Sequence, residues 1–164
     1  MRSLAIVSLC LAVLGLAGCG SKFRSYNGPE VTQLLVKKSE RKMYLLHGNE
    51  VLKEYKIALG GNPVGPKQIE GDSKTPEGFY RIDRRNPNSA YHLSLGISYP
   101  NDQDRANAKA QDKSPGGDIF IHGRAKANRG RGKDWTAGCI AVKDGQMEKV
   151  YSMVKVGTPI YIAP

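Results

Sequence analysis

Glycine and proline are the residues that most restrict what this chain can fold into. Its 164 residues contain 19 glycines and 9 prolines, and both residue types interrupt helices and favour turns. With 40% hydrophobic residues the chain can still bury a core, which argues against wholesale disorder. The length is typical of one domain. We therefore expect a single domain of short strands joined by turns rather than a helix bundle.

Short apolar runs between turn residues locate the expected strands. These runs cover residues 31–37, 42–46, 51–59, 79–83, 91–99, 118–122, 139–142 and 158–163. The segment 84–90 is rich in turn residues. A helix is expected to begin near Asp144 as its N-cap, because apolar residues then recur at i, i+3, i+4 and i+7; a shorter helix fits 102–110. The pattern predicts a mainly β fold that opens with a meander and packs a helix on its sheet.

An uncharged, apolar segment follows Arg2 and ends in small residues. No charged residue occurs between Arg2 and Lys22, so the segment is just long enough to span a bilayer, and a transmembrane anchor is one interpretation. Small residues at positions 15, 17, 18 and 20 favour a signal-peptide cleavage site instead. The tetrad Leu16-Ala17-Gly18-Cys19 resembles the lipobox of bacterial lipoproteins.

The lipobox resemblance implies an organisation for the whole chain. Residues 1–18 are expected to be a signal peptide, and Cys19 the lipidated N-terminus of a polar tether that covers 19–30. The folded domain is then 31–164. In bacterial lipoproteins the residue directly after the lipidated cysteine affects sorting. That residue is Gly20 here and not Asp, which implies the outer membrane if the cell is Gram-negative. With either kind of anchor, the domain is expected on the periplasmic face of a bacterial membrane.

The three cysteines differ in what they can do. Cys10 leaves with the signal peptide and a lipid occupies Cys19, so Cys139 remains as a free thiol in an oxidising compartment. Their positions lack the close spacing of a structural zinc site, and we expect neither a metal nor a cofactor. A lone thiol is by default buried and inert. A lone thiol beside a histidine is a candidate nucleophile.

His122 and Cys139 are placed to form such a pair. His122 ends one apolar run and Cys139 begins another 17 positions later. If the two strands are neighbours, the imidazole and the thiol come within hydrogen-bond reach. A neighbouring imidazolium lowers a thiol pKa from its usual ~8.5, so we expect Cys139 to alkylate well below that pH. Gly138 has no side chain to block a substrate carbonyl that approaches the backbone amides.

Four segments resemble the L,D-transpeptidase (YkuD-like) catalytic domain. Ile121-His122-Gly123 and Trp135-Thr136-Ala137-Gly138-Cys139-Ile140 resemble the family signature, a histidine followed after a variable loop by Ser/Thr-His-Gly-Cys. Gly71-Asp72-Ser73-Lys74-Thr75-Pro76-Glu77-Gly78-Phe79-Tyr80 is similar to the family's Thr-Pro-x-Gly turn, and Gly157-Thr158-Pro159-Ile160 to its C-terminal strand. The resemblance covers residue 31 to the end.

This resemblance implies a fold, a reaction and a set of site residues. The fold is β-rich, a sandwich or barrel with at least one packed helix. Cys139 is the acylating nucleophile, His122 its base, and the amides of Gly138 and Cys139 are candidate oxyanion donors. The substrate is a peptidoglycan stem peptide, and the product acyl group passes to an amine. Position along the chain, apart from the resemblance, adds substrate-binding candidates: Gly123, Arg124, Trp135, Thr136 and His92. Trp135 fits a pocket wall and the core equally well, and His92 fits a packed strand histidine better than a ligand.

The sequence departs from the family pattern at three positions. Ala137 stands where many members have a second histidine, and Ala141 and Val142 replace the Asn or Arg often found after the cysteine. The basic loop between Gly123 and Gly138 is then the candidate for binding a substrate carboxylate. Its cations are Arg124, Lys126, Arg129, Arg131 and Lys133, against the single acid Asp134.

The net charge of +10 favours an anionic partner. Nucleic acid is one such partner, but no recognition motif is present and export argues against it. We expect a monomer that contacts peptidoglycan stems and is held at the membrane through Cys19. An L,D-carboxypeptidase that uses the same acyl-enzyme, attachment of a protein lysine, and a non-catalytic wall-binding lipoprotein remain alternatives.

Overall fold

A computed structural model describes residues 21–124 and 133–164. The predicted signal peptide and Cys19 lie outside the described residues. So do three of the loop cations, namely Lys126, Arg129 and Arg131.

The described residues form strands and helices at nearly all the predicted positions. In chain order the elements are β1 Gln33–Lys37, β2 Lys42–His47, β3 Glu50–Lys56, β4 Gly78–Asn86, β5 Ser94–Ile97, α1 Asp102–Lys109, β6 Phe120–His122, β7 Ile140–Ala141, α2 Asp144–Met153 and β8 Pro159–Ala163. The predicted mainly β fold with a packed helix is confirmed.

One curled sheet contains these strands in the order β3-β2-β1-β8-β4-β5-β6-β7. The predicted meander is present, because β1, β2 and β3 pair antiparallel in sequence. β8 enters the sheet between β1 and β4, parallel to β1. The two edges of the sheet meet where the chain leaves β3: Ala58 donates its amide to the Ala141 carbonyl at 2.9 Å and accepts from the Ala141 amide at 2.8 Å. This closure brings the segment after β3 against β7.

The helix α2 covers one end of the core. Its predicted apolar stripe is buried, with Met147, Val150, Tyr151 and Val154 each at most 7% exposed. The predicted N-cap is one residue too late, since Lys143 is the N-cap and Asp144 the first helical residue. The Asp144 carboxylate instead accepts a hydrogen bond from the Arg124 amide at 2.8 Å.

Two strand boundaries differ from the prediction. Strand β4 continues through Arg84 to Asn86, where turns were expected, because these residues pair with β5 up to Asn86 opposite Ser94. Strand β5 begins only at Ser94, since His92 has a φ of +75° and cannot continue an extended strand.

The described part of the predicted tether lies against the domain. The Lys22 ammonium donates to the Pro87 carbonyl at 2.6 Å and to the His92 carbonyl at 3.2 Å. Arg24 pairs with Glu148 of α2. Within residues 21–124 and 133–164, no helix is long and apolar enough to cross a membrane.

Candidate active site

The parallel pairing of β6 with β7 brings His122 and Cys139 to one cavity. Ile121 lies opposite Ile140 and His122 opposite Ala141, so Cys139 falls beside Phe120. The Phe120 amide donates to Cys139 Sγ at 3.4 Å, and Sγ–H donates to the Asp118 carbonyl at 3.5 Å. The cavity has a volume of about 220 Å³. It is lined by Asn86, Ser89, Tyr91, Ser94, Asp118, Phe120, His122 and Cys139.

The His122 ring is held in one tautomer. Its Nδ1 lies 2.5 Å from the Gly123 carbonyl. A carbonyl oxygen only accepts, so Nδ1 carries the proton and Nε2 keeps its lone pair. Burial lowers the pKa of His122, the Arg124 guanidinium lowers it further, and the Gly123 carbonyl opposes both. The imidazole is therefore neutral at neutral pH and can accept a proton at Nε2.

Two aromatic rings enclose this imidazole. The Tyr91 ring lies 4.4 Å from it, centroid to centroid, and Trp135 contacts it edge-on at 5.7 Å. Tyr91 and Trp135 are in turn 6.0 Å apart. These rings keep water from the imidazole, which accounts for the burial that depresses its pKa.

The Cys139 thiol is protonated in this site. Burial raises the pKa of Cys139 above its ordinary value, and the Asp118 carboxylate adds to the effect; the Phe120 amide and the Lys67 ammonium act against it. The expectation of a lowered thiol pKa is therefore wrong. It assumed an imidazolium beside the sulfur, whereas the buried His122 is neutral. The pair consists of a neutral acid and a neutral base.

Packing alone requires a glycine at position 138. Its φ is +134°, and a Cβ there would lie 2.6 Å from the Lys74 carbonyl oxygen. Its amide donates to Thr136 Oγ1 at 3.1 Å, and that hydroxyl donates to the Cys139 carbonyl at 2.7 Å. The Gly138 amide is thus already hydrogen-bonded, contrary to its expected role as an open oxyanion donor. Thr136 is 6% exposed and stabilises this turn through both hydrogen bonds.

The Thr-Pro turn supports the cysteine turn. The Thr75 hydroxyl accepts from the Gly60 amide at 3.1 Å, and Gly60 packs on Gly138. Lys38, 2% exposed, reaches the same turn through the Thr75 carbonyl at 2.8 Å and the Glu77 carboxylate at 2.8 Å. The Thr-Pro turn and the turn that precedes Cys139, two of the segments that resemble the family, are therefore linked through Gly60.

Asp72 closes this turn with hydrogen bonds from three backbone amides, those of Gln68, Ile69 and Lys74. Lys67, 5% exposed, donates to the same carboxylate at 2.8 Å. Burial opposes ionisation of Asp72, but these four donors prevail and lower its pKa.

Comparison with protein families agrees with this geometry. The model of the L,D-transpeptidase catalytic domain matches residues 32–162. The chain belongs to that family.

Individual relatives support the assignment. YafK of Escherichia coli (strain K12) is 27% identical over 172 residues, which cover 94% of this chain and 64% of YafK. The helical cell shape determining protein Pgp2 from Campylobacter jejuni is 31% identical, with a TM-score of 0.64 over 84% of this chain and 49% of Pgp2. Bd1075 of Bdellovibrio bacteriovorus is 28% identical, with a TM-score of 0.57 over 81% of this chain and 48% of its own. The chain thus spans about half to two thirds of the length of these relatives.

The other predicted site residues of this L,D-transpeptidase domain lie at different distances from the catalytic cavity. Gly123 is confined, because a Cβ would lie 2.8 Å from both the Tyr91 carbonyl and the Asp144 carboxylate. His92 points to Glu148 at 3.0 Å and does not line the cavity of Cys139. The Arg124 guanidinium lies 5.9 Å from the Trp135 ring and lines a second cavity. Two of the predicted binding residues contact the imidazole: Trp135 through its ring and Gly123 through its carbonyl.

The three departures from the family pattern lie in different surroundings. Ala137 is exposed beside the cysteine turn. Ala141 and Val142 are at most 1% exposed and belong to the core. None of the three offers a hydrogen-bonding side chain.

Sequence reasoning missed most of the cavity wall. Tyr91, Ser94, Asp118 and Phe120 line it but carry no local chemical motif. Phe120 had one usable signal, since it lies two residues before His122 and so shares its face of β6. At the rim, the Arg84 guanidinium pairs with Asp118 at 2.9 Å and stacks on Phe120 at 4.5 Å.

In the part of the chain that the structure describes, no group of three or more His, Cys, Asp or Glu side chains is placed to hold a metal ion.

Proposed function

We propose that this protein is a peptidoglycan-modifying cysteine L,D-transpeptidase. The observation that carries the proposal is the shared cavity of Cys139 and His122, with Nδ1 of the imidazole tied to Gly123 and Nε2 left as an acceptor. The membership of the chain in the L,D-transpeptidase family supports it.

The first half of the reaction uses the neutral pair. His122 Nε2 takes the proton from Cys139 as Sγ attacks the carbonyl of the L-centre of diaminopimelate in a tetrapeptide stem. The carbon–nitrogen bond to D-Ala then breaks, and the imidazolium returns its proton to the leaving amine. A thioester on Cys139 remains.

The developing oxyanion needs a donor close to Sγ. The Cys139 amide is the candidate next to the nucleophile. The Gly138 amide donates to Thr136 at 3.1 Å and serves only if that bond is exchanged for one to the oxyanion.

The second half of the reaction depends on the acceptor. An amine from a neighbouring stem gives a crosslink, a lysine of a protein attaches that protein to the wall, and water gives an L,D-carboxypeptidase. A wall-binding lipoprotein without turnover is the non-enzymatic alternative. Arg84 and Asp118, which pair with each other at 2.9 Å, are candidate contacts for the incoming acceptor.

The proposed location is the periplasmic face of a membrane, with Cys19 lipidated. Three residues after Cys19, Lys22 binds the carbonyls of Pro87 and His92. The segment between those two residues supplies Ser89 and Tyr91 to the cavity. Anchoring at Cys19 would therefore hold the mouth of the cavity close to the lipid surface.

The proposal is tested by product analysis with two cysteine variants. Full-length protein purified in detergent is incubated with soluble tetrapeptide muropeptides, and products are identified by mass spectrometry. Intact protein should release D-Ala, with dimers if it is a transferase and without them if it is a hydrolase. Cys139→Ala should release none.

The matched control is Cys19→Ala, which removes the other proposed functional thiol. It should keep D-Ala release from soluble substrate but leave the membrane fraction of cells. Equal activity of Cys139→Ala and intact protein, or no activity of the intact protein, contradicts the assignment.

A further inference from the structure

A second cavity lies beside the one that contains Cys139. It has a volume of about 390 Å³ and opens between the β1–β2 turn, the end of β3 and the two ends of the basic loop. Its lining residues are Ser39, Glu40, Arg41, Lys42, Lys56, Ile57, Arg124 and Lys133. Five of these eight carry a positive charge and one a negative charge.

The positive charges in this basic cavity are only partly neutralised. Arg41 pairs with Asp134 at 2.9 Å, and Lys42 pairs with Glu54 at 2.8 Å. The remaining cations are Lys56, Arg124 and Lys133. None of these three has an acidic partner among the described residues.

Among the cations of this basic cavity, Arg124 has a hydrogen-bond donor without an acceptor among the described residues. Its Nε is buried and makes no hydrogen bond within residues 21–124 and 133–164. Its amide is fixed by the Asp144 carboxylate at 2.8 Å. The backbone of Arg124 is therefore held at the cavity, and its guanidinium keeps a hydrogen-bonding capacity of the kind that carboxylates accept.

The Trp135 ring contacts one residue of each cavity. Trp135 has His122 at 5.7 Å and the Arg124 guanidinium at 5.9 Å. Ile57, which lines the basic cavity, precedes Ala58, which pairs with Ala141 next to His122. The catalytic cavity and the basic cavity are therefore neighbours in the fold, with Trp135 beside both His122 and Arg124.

We propose that the basic cavity binds the free α-carboxylate of the glutamyl residue that precedes the attacked diaminopimelate in the donor stem. This inference rests on the proposed function. The glutamyl residue of a stem is linked through its side chain, so its α-carboxylate is free and lies one residue from the acylated carbon. The D-Ala carboxylate is on the leaving side, next to the scissile bond, and so belongs to the cavity of Cys139.

The test compares two stems that differ in that single carboxylate. One tetrapeptide muropeptide carries the free glutamyl carboxylate, and the other carries its uncharged amide. The protein is compared with the double variant Lys56→Met/Lys133→Met. The control, Lys53→Met/Lys149→Met, removes two lysines that are also exposed but do not line the cavity.

The intact protein and the control should prefer the free carboxylate in kcat/KM by about tenfold, as expected for charge-assisted hydrogen bonds. In Lys56→Met/Lys133→Met the KM for the free carboxylate should rise until this preference falls to about twofold or less. Its kcat, and its kcat/KM for the amidated stem, should stay near those of the intact protein. An unchanged preference in the double variant, or an equal loss in the control, overturns the inference.

A binding measurement separates this inference from the proposed function. Calorimetric titration of full-length Cys139→Ala with both stems reports the carboxylate preference without turnover. If the intact protein releases no D-Ala but Cys139→Ala prefers the free carboxylate through Lys56 and Lys133, the proposed reaction fails and the carboxylate site stands. If the lysines instead govern only binding to phosphatidylglycerol vesicles, the cavity is a lipid-headgroup site and the inference is wrong.

Discussion

The two residues of the proposed catalytic pair are displaced from their ordinary pKa values in opposite directions. Burial lowers the pKa of His122 and raises that of Cys139. Both displacements favour the uncharged forms, so thiol and imidazole coexist as neutral groups around neutral pH. Proton transfer then accompanies attack on the substrate and does not precede it.

The neutral pair predicts a wide pH plateau for kcat/KM. Activity requires an unprotonated His122 and rises as pH passes the depressed imidazole pKa, below its usual 6.5. It falls only when Cys139 ionises in the free enzyme, above the ordinary pKa of a thiol, because the pair then lacks the proton that the leaving amine needs. Iodoacetamide labelling of Cys139 should show the same high midpoint. A labelling midpoint on the acid side of 8 would indicate a preformed thiolate and contradict the neutral pair.

Gly138 permits the turn that presents Cys139. In Gly138→Ala the new Cβ meets the Lys74 carbonyl at a position with a φ of +134°. We expect a loss of about 2–4 kcal/mol in the free energy of unfolding, measured with urea. Gly145→Ala is the control, because no atom lies within 4 Å of its added Cβ and it sits in α2. That variant should be neutral or slightly more stable; equal destabilisation of both would refute the packing argument.

At the scale of elements, the site depends on a buried lysine in the β1–β2 turn. Lys38 binds the Gly65 carbonyl at 2.7 Å as well as Thr75 and Glu77, and so fixes the Thr-Pro turn, which in turn supports the turn of Gly138. Burial lowers the pKa of this ammonium group, and the Glu77 carboxylate opposes that effect.

Lys38→Met should therefore destabilise the fold strongly. Removal of the ammonium leaves the Glu77 carboxylate, 17% exposed, without its partner, and we expect a loss of about 3–5 kcal/mol in urea unfolding. Lys37→Met is the matched control one residue away. Its side chain is 42% exposed in a surface pair with Glu40, so its loss should stay within about 1 kcal/mol. Similar effects of the two variants would contradict the bracing role of Lys38.

The elements could be read from local patterns, whereas their contacts could not. The apolar runs that end at His122 and begin at Cys139 identify β6 and β7, because short apolar runs between turn residues are typical of buried strands. The ring contact of Tyr91 with His122 joins the loop before β5 to β6, and no spacing in the sequence indicates it. The rise in the Cys139 pKa follows from burial, and burial depends on that packing.

Two errors at element boundaries have the same origin. Arg84 to Asn86 contain turn-forming and polar residues, yet they pair with β5 because the neighbouring strand supplies hydrogen bonds. His92 lies in an otherwise strand-like run but takes a φ of +75°, with its ring bound to Glu148. In both cases tertiary partners override local preference.

At the scale of the whole molecule, closure of the sheet organises both cavities. The pairing of Ala58 with Ala141 brings the β1–β3 meander against the strands that carry His122 and Cys139. Lys56 and Ile57 of the meander thereby reach the basic cavity beside Arg124. The net charge of +10 is thus partly concentrated next to the proposed catalytic pair.

The N-terminal segment contacts the loop that lines the cavity of Cys139. Lys22 is bound to the loop that supplies Ser89 and Tyr91, and Arg24 shares Glu148 with His92. The segment predicted as a tether therefore also packs behind the cavity wall.

The most direct test of the central claim is to find the acyl group on Cys139. Full-length protein is mixed with tetrapeptide muropeptide, quenched in acid within seconds, digested with pepsin and analysed by mass spectrometry. We predict that the peptide containing Cys139 gains the mass of the stem without D-Ala, and that hydroxylamine removes it as expected for a thioester. The release of D-Ala with no adduct on Cys139, or with the adduct on another residue, would contradict the account.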